Sequence, residues 1–259
     1  MSRPALYIGP EMLIASALPQ LPLGPYHTQH SALHDLKFTG VLQPWQGFLS
    51  SVQAAHQNYT FRSQTLALRL KTRDPYAQGN VEIGDEHGLL GRFHKHIGDV
   101  LNSVFTSHST GIRFADFKCV QFTFHGTPDV ILKDDNHHVK VAGELKVPWI
   151  ADHWLEHKYN DIDQLSRILA QPIKYMQELG CVYGFMSNYD ETIFLRQLVD
   201  SQGAWRIEFS PVVRSSDTYD RHRTNPPAVS ARQCFFYVGC DALNHGVVNN
   251  TTPRWVVPR

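Results

Sequence analysis

The sequence predicts an α/β protein whose centre is a mixed β-sheet flanked by helices. Segments with apolar residues at helical spacing alternate with short apolar runs bounded by turn residues. Three strand-like segments follow one another between residues 114 and 146, and a helix-patterned segment stands on either side of them. The chain has 259 residues, 42% of them hydrophobic and 19% charged, which suits a folded protein with a full core.

Taken in order, residues 1–80 are irregular and punctuated by proline, with a β-like alternation over Tyr59–Arg73. They are expected to form an N-terminal elaboration packed on a domain spanning 81–259, the whole making one domain. The first helix is predicted over Asp85–Phe105, where Leu89, Leu90, Phe93, Ile97, Val100, Leu101 and Phe105 fall at helical spacing behind Asp85 as N-cap. "FADFKCVQFTF", Phe114–Phe124, then reads as a strand, "PDVILKD" as a second and "VKVAGELK" as a third, with "DDNHH" as the hairpin turn between the last two. Asp161–Leu179 has helical spacing closed by Gly180, and Pro172 should kink or split it, because an interior proline costs ~3 kcal/mol. "VYGFMSN" and "TIFLRQLV" follow as strands around "YDE", and "RIEFSPVV" as another. Arg214–Val229 is predicted as a mobile polar loop, and Ser230 opens a closing helix, "SARQCFFYVGCDAL".

Composition narrows the function. Lys plus Arg and Asp plus Glu both number 24, so no global basic field draws the chain to nucleic acid or an anionic membrane. Such binding would rest on local patches, of which "LRLKTR" and "RFHKH" are the best. Cys119, Cys181, Cys234 and Cys240 are scattered without a CxxC pair and read as reduced thiols, which points to the nucleus or cytoplasm. The N-terminus is interrupted by Pro10 and Glu11 and predicts no signal peptide; no apolar run approaches the ~20 residues of a membrane span. Oligomeric state stays open, a homodimer being one option.

The stretch "VAGELKVPW", Val141–Trp149, carries the chemistry. Side chains alternate along a strand, so Glu144 and Lys146 share a face, inside a segment whose apolar flanks predict burial. "GTPDVI" places Asp129 at the start of the preceding strand, where a hairpin brings it beside Glu144. Two carboxylates on adjacent strands form a hard-oxygen site for Mg²⁺ or Mn²⁺, and a lysine on the same face can manage a water or hold a phosphate. His153 and His157 are four residues apart and on one helix could share a zinc ion, yet no Cys pair or H-E-x-x-H completes such a site.

This pattern of P-D, about fourteen residues, then E-x-K resembles the PD-(D/E)XK nuclease superfamily, with its restriction-endonuclease-like core. The resemblance implies an acid on the preceding helix, Glu86 with Glu82 as the alternative, and a following helix carrying Q-x-x-x-Y, here Gln171 to Tyr175. Residues Gly126 to Gln197 are also similar to a largely uncharacterised fungal group with G-x-P-D, G-E-x-K-x-P-W, Q-x-x-x-Y-M and Y-G-F-x-S-x-Y-D-x-T-x-F-L-R motifs. It implies a metal-dependent nuclease, with DNA as the expected partner and RNA as the other candidate. Glu86, Asp129, Glu144 and the Leu145 carbonyl would hold the metal, Asp129, Glu144, Lys146 and Gln171 would act in catalysis, and Tyr175 and Lys133 would touch substrate. The alternative is a binding or effector module that keeps the fold without cleaving, acting through a protein or nucleic-acid partner; the balanced charge favours it.

Overall fold

Alternate residues of one sheet feed two separate cores. In the computed structural model, which describes residues 9–30, 33, 35–62, 81–121 and 126–259, β5 (Val139–Leu145) and β6 (Tyr183–Ser187) run parallel at the centre. β4 (Val130–Asp134) and β3 (Ile112–Ala115) extend the sheet antiparallel on one side. β7 (Glu191–Val199) and β8 (Trp205–Phe209) extend it antiparallel on the other, and β2 (Val41–Pro44) closes that edge parallel to β8. Val141, Leu145, Phe185 and Phe194 enter a core shared with α2 (Phe48–Asn58), the helix from Glu86 and α8 (Ala231–Ala242). Met186, Ile193 and Leu195 enter another beneath α6 (Ile162–Ile168) and α7 (Ala170–Leu179). The result is the mixed α/β sheet between helical layers that the alternating pattern predicts.

The helix predicted over Asp85–Phe105 forms and runs further, but not as one regular helix. α3 (Glu86–Phe93) passes through a π turn (His94–Gly98) into α4 (Asp99–His108), ending at Ser109 with φ 54°. Asp85 caps it, accepting a hydrogen bond from Gly88 N at 2.8 Å. Within the widened turn, buried Arg232 of α8 donates through Nε to the His96 carbonyl at 2.7 Å. The "RFHKH" stretch therefore offers less basic surface than its composition suggests: Lys95 is exposed, but Arg92 and His96 are buried, and burial with the Arg232 charge pushes the His96 imidazole down to about 4. The second basic patch, "LRLKTR", lies outside the described residues.

Three further expectations need correction or refinement. The strand predicted from Phe114 begins at Ile112 and stops at Ala115, because Asp116 turns the chain into a 3₁₀ helix, Phe117–Cys119, by accepting from Lys118 N. Residues 122–125 lie outside the described residues, as does the Tyr59–Arg73 alternation beyond Arg62. The segment at Arg214–Val229 contains a hairpin of β10 (Asp220–Thr224) with β11 (Pro227–Ala228). The helix around Pro172 splits as the proline demands: α7 restarts at Ala170, leaving Pro172 in its first turn, where no helical carbonyl awaits its missing N–H. Ser230 and Gln233 form a reciprocal capping box on α8.

Gly143 leaves the space on the key strand that a core ring fills. A Cβ there would lie 2.0 Å from Phe185 Cζ. That ring cannot retreat, since it stacks on Phe93 at 5.6 Å and meets Phe235 edge-on at 4.9 Å. Gly143→Ala should therefore cost about 3 kcal/mol through overpacking. A urea midpoint unchanged from the parent would show that the core can yield.

Candidate functional site

The register of the hairpin assembles the site. Val130 pairs with Gly143, so Asp129, one residue earlier, stands beside Glu144. Asp134 tightens the far turn by accepting from Asn136 N at 3.0 Å and His138 N at 2.8 Å. Asp129 Oδ2 accepts a hydrogen bond from Leu145 N at 2.8 Å, across the end of the ladder. Lys146 Nζ donates to Glu144 Oε1 at 2.7 Å and reaches Glu86 Oε2 at 3.3 Å. The convergence of Asp129, Glu144, Lys146 and Glu86 expected from the sequence is thus present. Glu82, the alternative acid, is instead exposed beside Gly24.

Burial sets the electrostatics. Glu144 and Lys146 are only 2% and 4% exposed, whereas the Glu86 side chain is 40% exposed and opens the cluster to solvent. Desolvation first, and the Asp129 charge second, push Glu144 up to about 8, with Lys146 pulling the other way. Asp129 is also raised by burial, against the Leu145 N–H and the Lys146 charge. Burial disfavours the Lys146 ammonium, but Glu144 and its hydrogen bond outweigh that and hold it charged. Among the described residues Glu144 Oε2 is buried without a partner at full hydrogen-bonding geometry, although the Asp129 carboxyl and the Tyr175 hydroxyl both approach the Glu144 side chain. A buried carboxylate oxygen is costly to leave without a partner.

The helix after the strand braces this arrangement. Gln171 and Tyr175, four apart on α7, share a face, and Gln171 Nε2 donates to the Tyr175 hydroxyl at 2.7 Å. Tyr175 in turn donates to the Thr127 carbonyl at 3.3 Å, two residues before Asp129. Its hydroxyl is raised by burial and by the Glu144 charge, so it stays a neutral donor. Lys133 is not part of the gathering: it lies toward the hairpin end of β4, buried and bonded to His137 Nδ1 at 2.9 Å. A direct role for Lys133 at Asp129 and Glu144 has no geometric support.

His153 and His157 do not share a helical face. His153 lies in a 3₁₀ turn, Ala151–His153, fully buried, with Nδ1 2.8 Å from the Val147 carbonyl and Nε2 without a partner. His157 lies on α5 (Leu155–Lys158) against Trp154. Sequence spacing of four suggested a shared face, but Trp154, extended at φ −75° and ψ 113°, separates the two turns. Cys181 and Cys234 are buried thiols, as expected, while Cys119 is exposed.

Asp129, Glu144 and Glu86 supply carboxylate oxygens, the ligand type that hard divalent cations take. As they stand, no three His, Cys, Asp or Glu side chains among the described residues are drawn into a metal-binding group. Positive charge between Glu144 and Glu86 is supplied by the Lys146 ammonium. Among the described residues, no helix is long and apolar enough to cross a membrane. Compared with known protein families, curated proteins and solved structures, the chain matches none.

Proposed function

We propose that the chain is a Mg²⁺- or Mn²⁺-dependent nuclease with a restriction-endonuclease-like core, acting on DNA in preference to RNA. The observation that carries the reading is the meeting of Asp129, Glu144 and Lys146 at the ends of two adjacent strands, on one face. The order of helix, three antiparallel strands, helix and a strand parallel to the third supports the same core.

In this reading Asp129, Glu144, Glu86 and the Leu145 carbonyl hold the cation. When bound, it lowers the pKa of a water and neutralises charge on the phosphate. Lys146 orients the attacking water or holds the scissile phosphate as a compact cation. Water adds to phosphorus and gives up one proton, one ester P–O bond breaks, and the departing alkoxide gains a proton from solvent in its place, so the step is proton-neutral. Gln171 acts through Tyr175, which pins the turn bearing Asp129.

The test is a cleavage panel of supercoiled plasmid, linear duplex, single-stranded DNA and RNA with Mg²⁺, Mn²⁺ or chelator. Digestion of linear or single-stranded DNA, with closed circles left largely intact, is expected because the Q-x-x-x-Y helix resembles that of the superfamily's exonuclease branches. Activity should fall only modestly between about 50 and 200 mM salt, because the few Lys and Arg available for phosphate contacts release few counterions. The burial of Arg92 and His96 shrinks one basic patch and favours the second reading, a module that binds without cleaving. Calorimetry with Mn²⁺ separates the two: no heat of binding, even with DNA present, would favour the non-catalytic module.

A further inference from the structure

Beside the acidic cluster lies a cavity of about 330 Å³, lined by Pro148, Trp154, His157 and the acids Glu156, Asp190 and Glu191. Pro148 is two residues beyond Lys146, at most about 7 Å along the chain. The chain just after Trp154 packs on the side of the sheet that Glu144 faces. Leu155, which follows Trp154, packs in the core beneath α6 and α7, and Met186, the register partner of Glu144, packs in that same core. Its position is outside the carboxyl ends of the parallel strands β5 and β6, where α/β sheets bind ligands.

The wall is prepared rather than incidental. Trp154 is 37% exposed, yet its Nε1 donates to the Pro148 carbonyl at 2.7 Å, which fixes the indole. His157 meets that ring edge-on at 4.8 Å. Glu191 is held by Leu155 N at 2.6 Å and Asn188 Nδ2 at 3.3 Å, both to Oε2, so Oε1 is left for another donor. At the rim Arg214 pairs with Glu156 at 3.1 Å and is half exposed.

A held indole beside carboxylate acceptors suits a flat ring whose edge carries N–H groups. We propose that this cavity takes an unstacked nucleobase of the substrate strand, guanine above the others, since guanine presents neighbouring N1–H and N2–H donors to a carboxylate. The base stacks on Trp154, its donors face Glu191 or Asp190, and Arg214 turns from Glu156 to the attached phosphate. The inference rests on the nuclease reading, to which it adds a base-binding subsite next to the scissile phosphate.

Binding is measured on the full chain in chelator, so that it does not depend on the metal, by titration calorimetry with the four nucleoside monophosphates and, separately, arginine amide. Guanosine monophosphate should bind tightest, Trp154→Phe should retain binding, and Trp154→Ala should weaken it about ten-fold or more. Equal binding of all four nucleotides that survives Trp154→Ala overturns the subsite, as does no nucleotide binding at all. Binding of arginine amide in place of nucleotides overturns it too, and makes the cavity a seat for a cationic side chain. Guanosine binding without cleavage of any substrate would refute the nuclease reading while leaving the base site standing. Cleavage without nucleotide binding would do the reverse.

Discussion

Asp129→Asn is expected to lower divalent-dependent cleavage by about 10³-fold or more, while leaving the fold intact, a loss on the order of 4 kcal/mol of transition-state stabilisation. The asparagine oxygen can still accept the Leu145 N–H that Asp129 accepts at 2.8 Å, so the strand ends stay joined. What disappears is a negative charge in a site that must concentrate positive charge. Since burial already raises the Asp129 carboxyl, removing its charge should not reduce thermal stability. Lys146→Ala should lose activity to a similar degree, because among the described residues no other cation pairs with Glu144. Undiminished cleavage by both variants would assign the activity to a contaminant or to another site.

The parts of this site visible in the sequence were those governed by short-range geometry. The two-residue spacing of Glu144 and Lys146 fixes a common face in any strand, and the hairpin length brings Asp129 alongside. Glu86 required more, namely the helix start at Asp85 and a fold in which that start reaches Lys146. Long-range effects left no local trace. The π turn coincides with a carbonyl bond from Arg232, 136 residues away, and β2 joins the sheet edge by pairing parallel with β8 from within a stretch that reads as irregular. The orphaned Nε2 of His153 and the held ring of Trp154 arise from the chain reversal after Pro148, where residue spacing misleads because neither a helix nor a strand period applies.

Lys146→Met should destabilise the protein by an amount that grows with pH. Glu144 is raised from 4.5 to about 8 in the folded chain, so between those values the folded state holds a proton that the unfolded state has released. The stability associated with that proton is full below 4.5 and declines as pH rises towards 8, in parent and variant alike. Above 8 they part. In the parent, Glu144 ionises beside the Lys146 ammonium at 2.7 Å and the decline stops. In Lys146→Met the carboxylate would be buried beside Asp129 without its cation, so it keeps the proton and stability goes on falling, by up to ~1.4 kcal/mol per pH unit. The extra loss should reach about 3 kcal/mol near pH 10 and be small at pH 6, as read from urea unfolding across that range. Glu144→Gln added to Lys146→Met should remove the Glu144 contribution to the pH dependence, leaving that of the thiols that burial also raises, Cys181 and Cys240 among them. A difference that stays flat from pH 6 to 10 would mean that Lys146 does not stabilise the Glu144 carboxylate, and the electrostatic account of the site would fail with it.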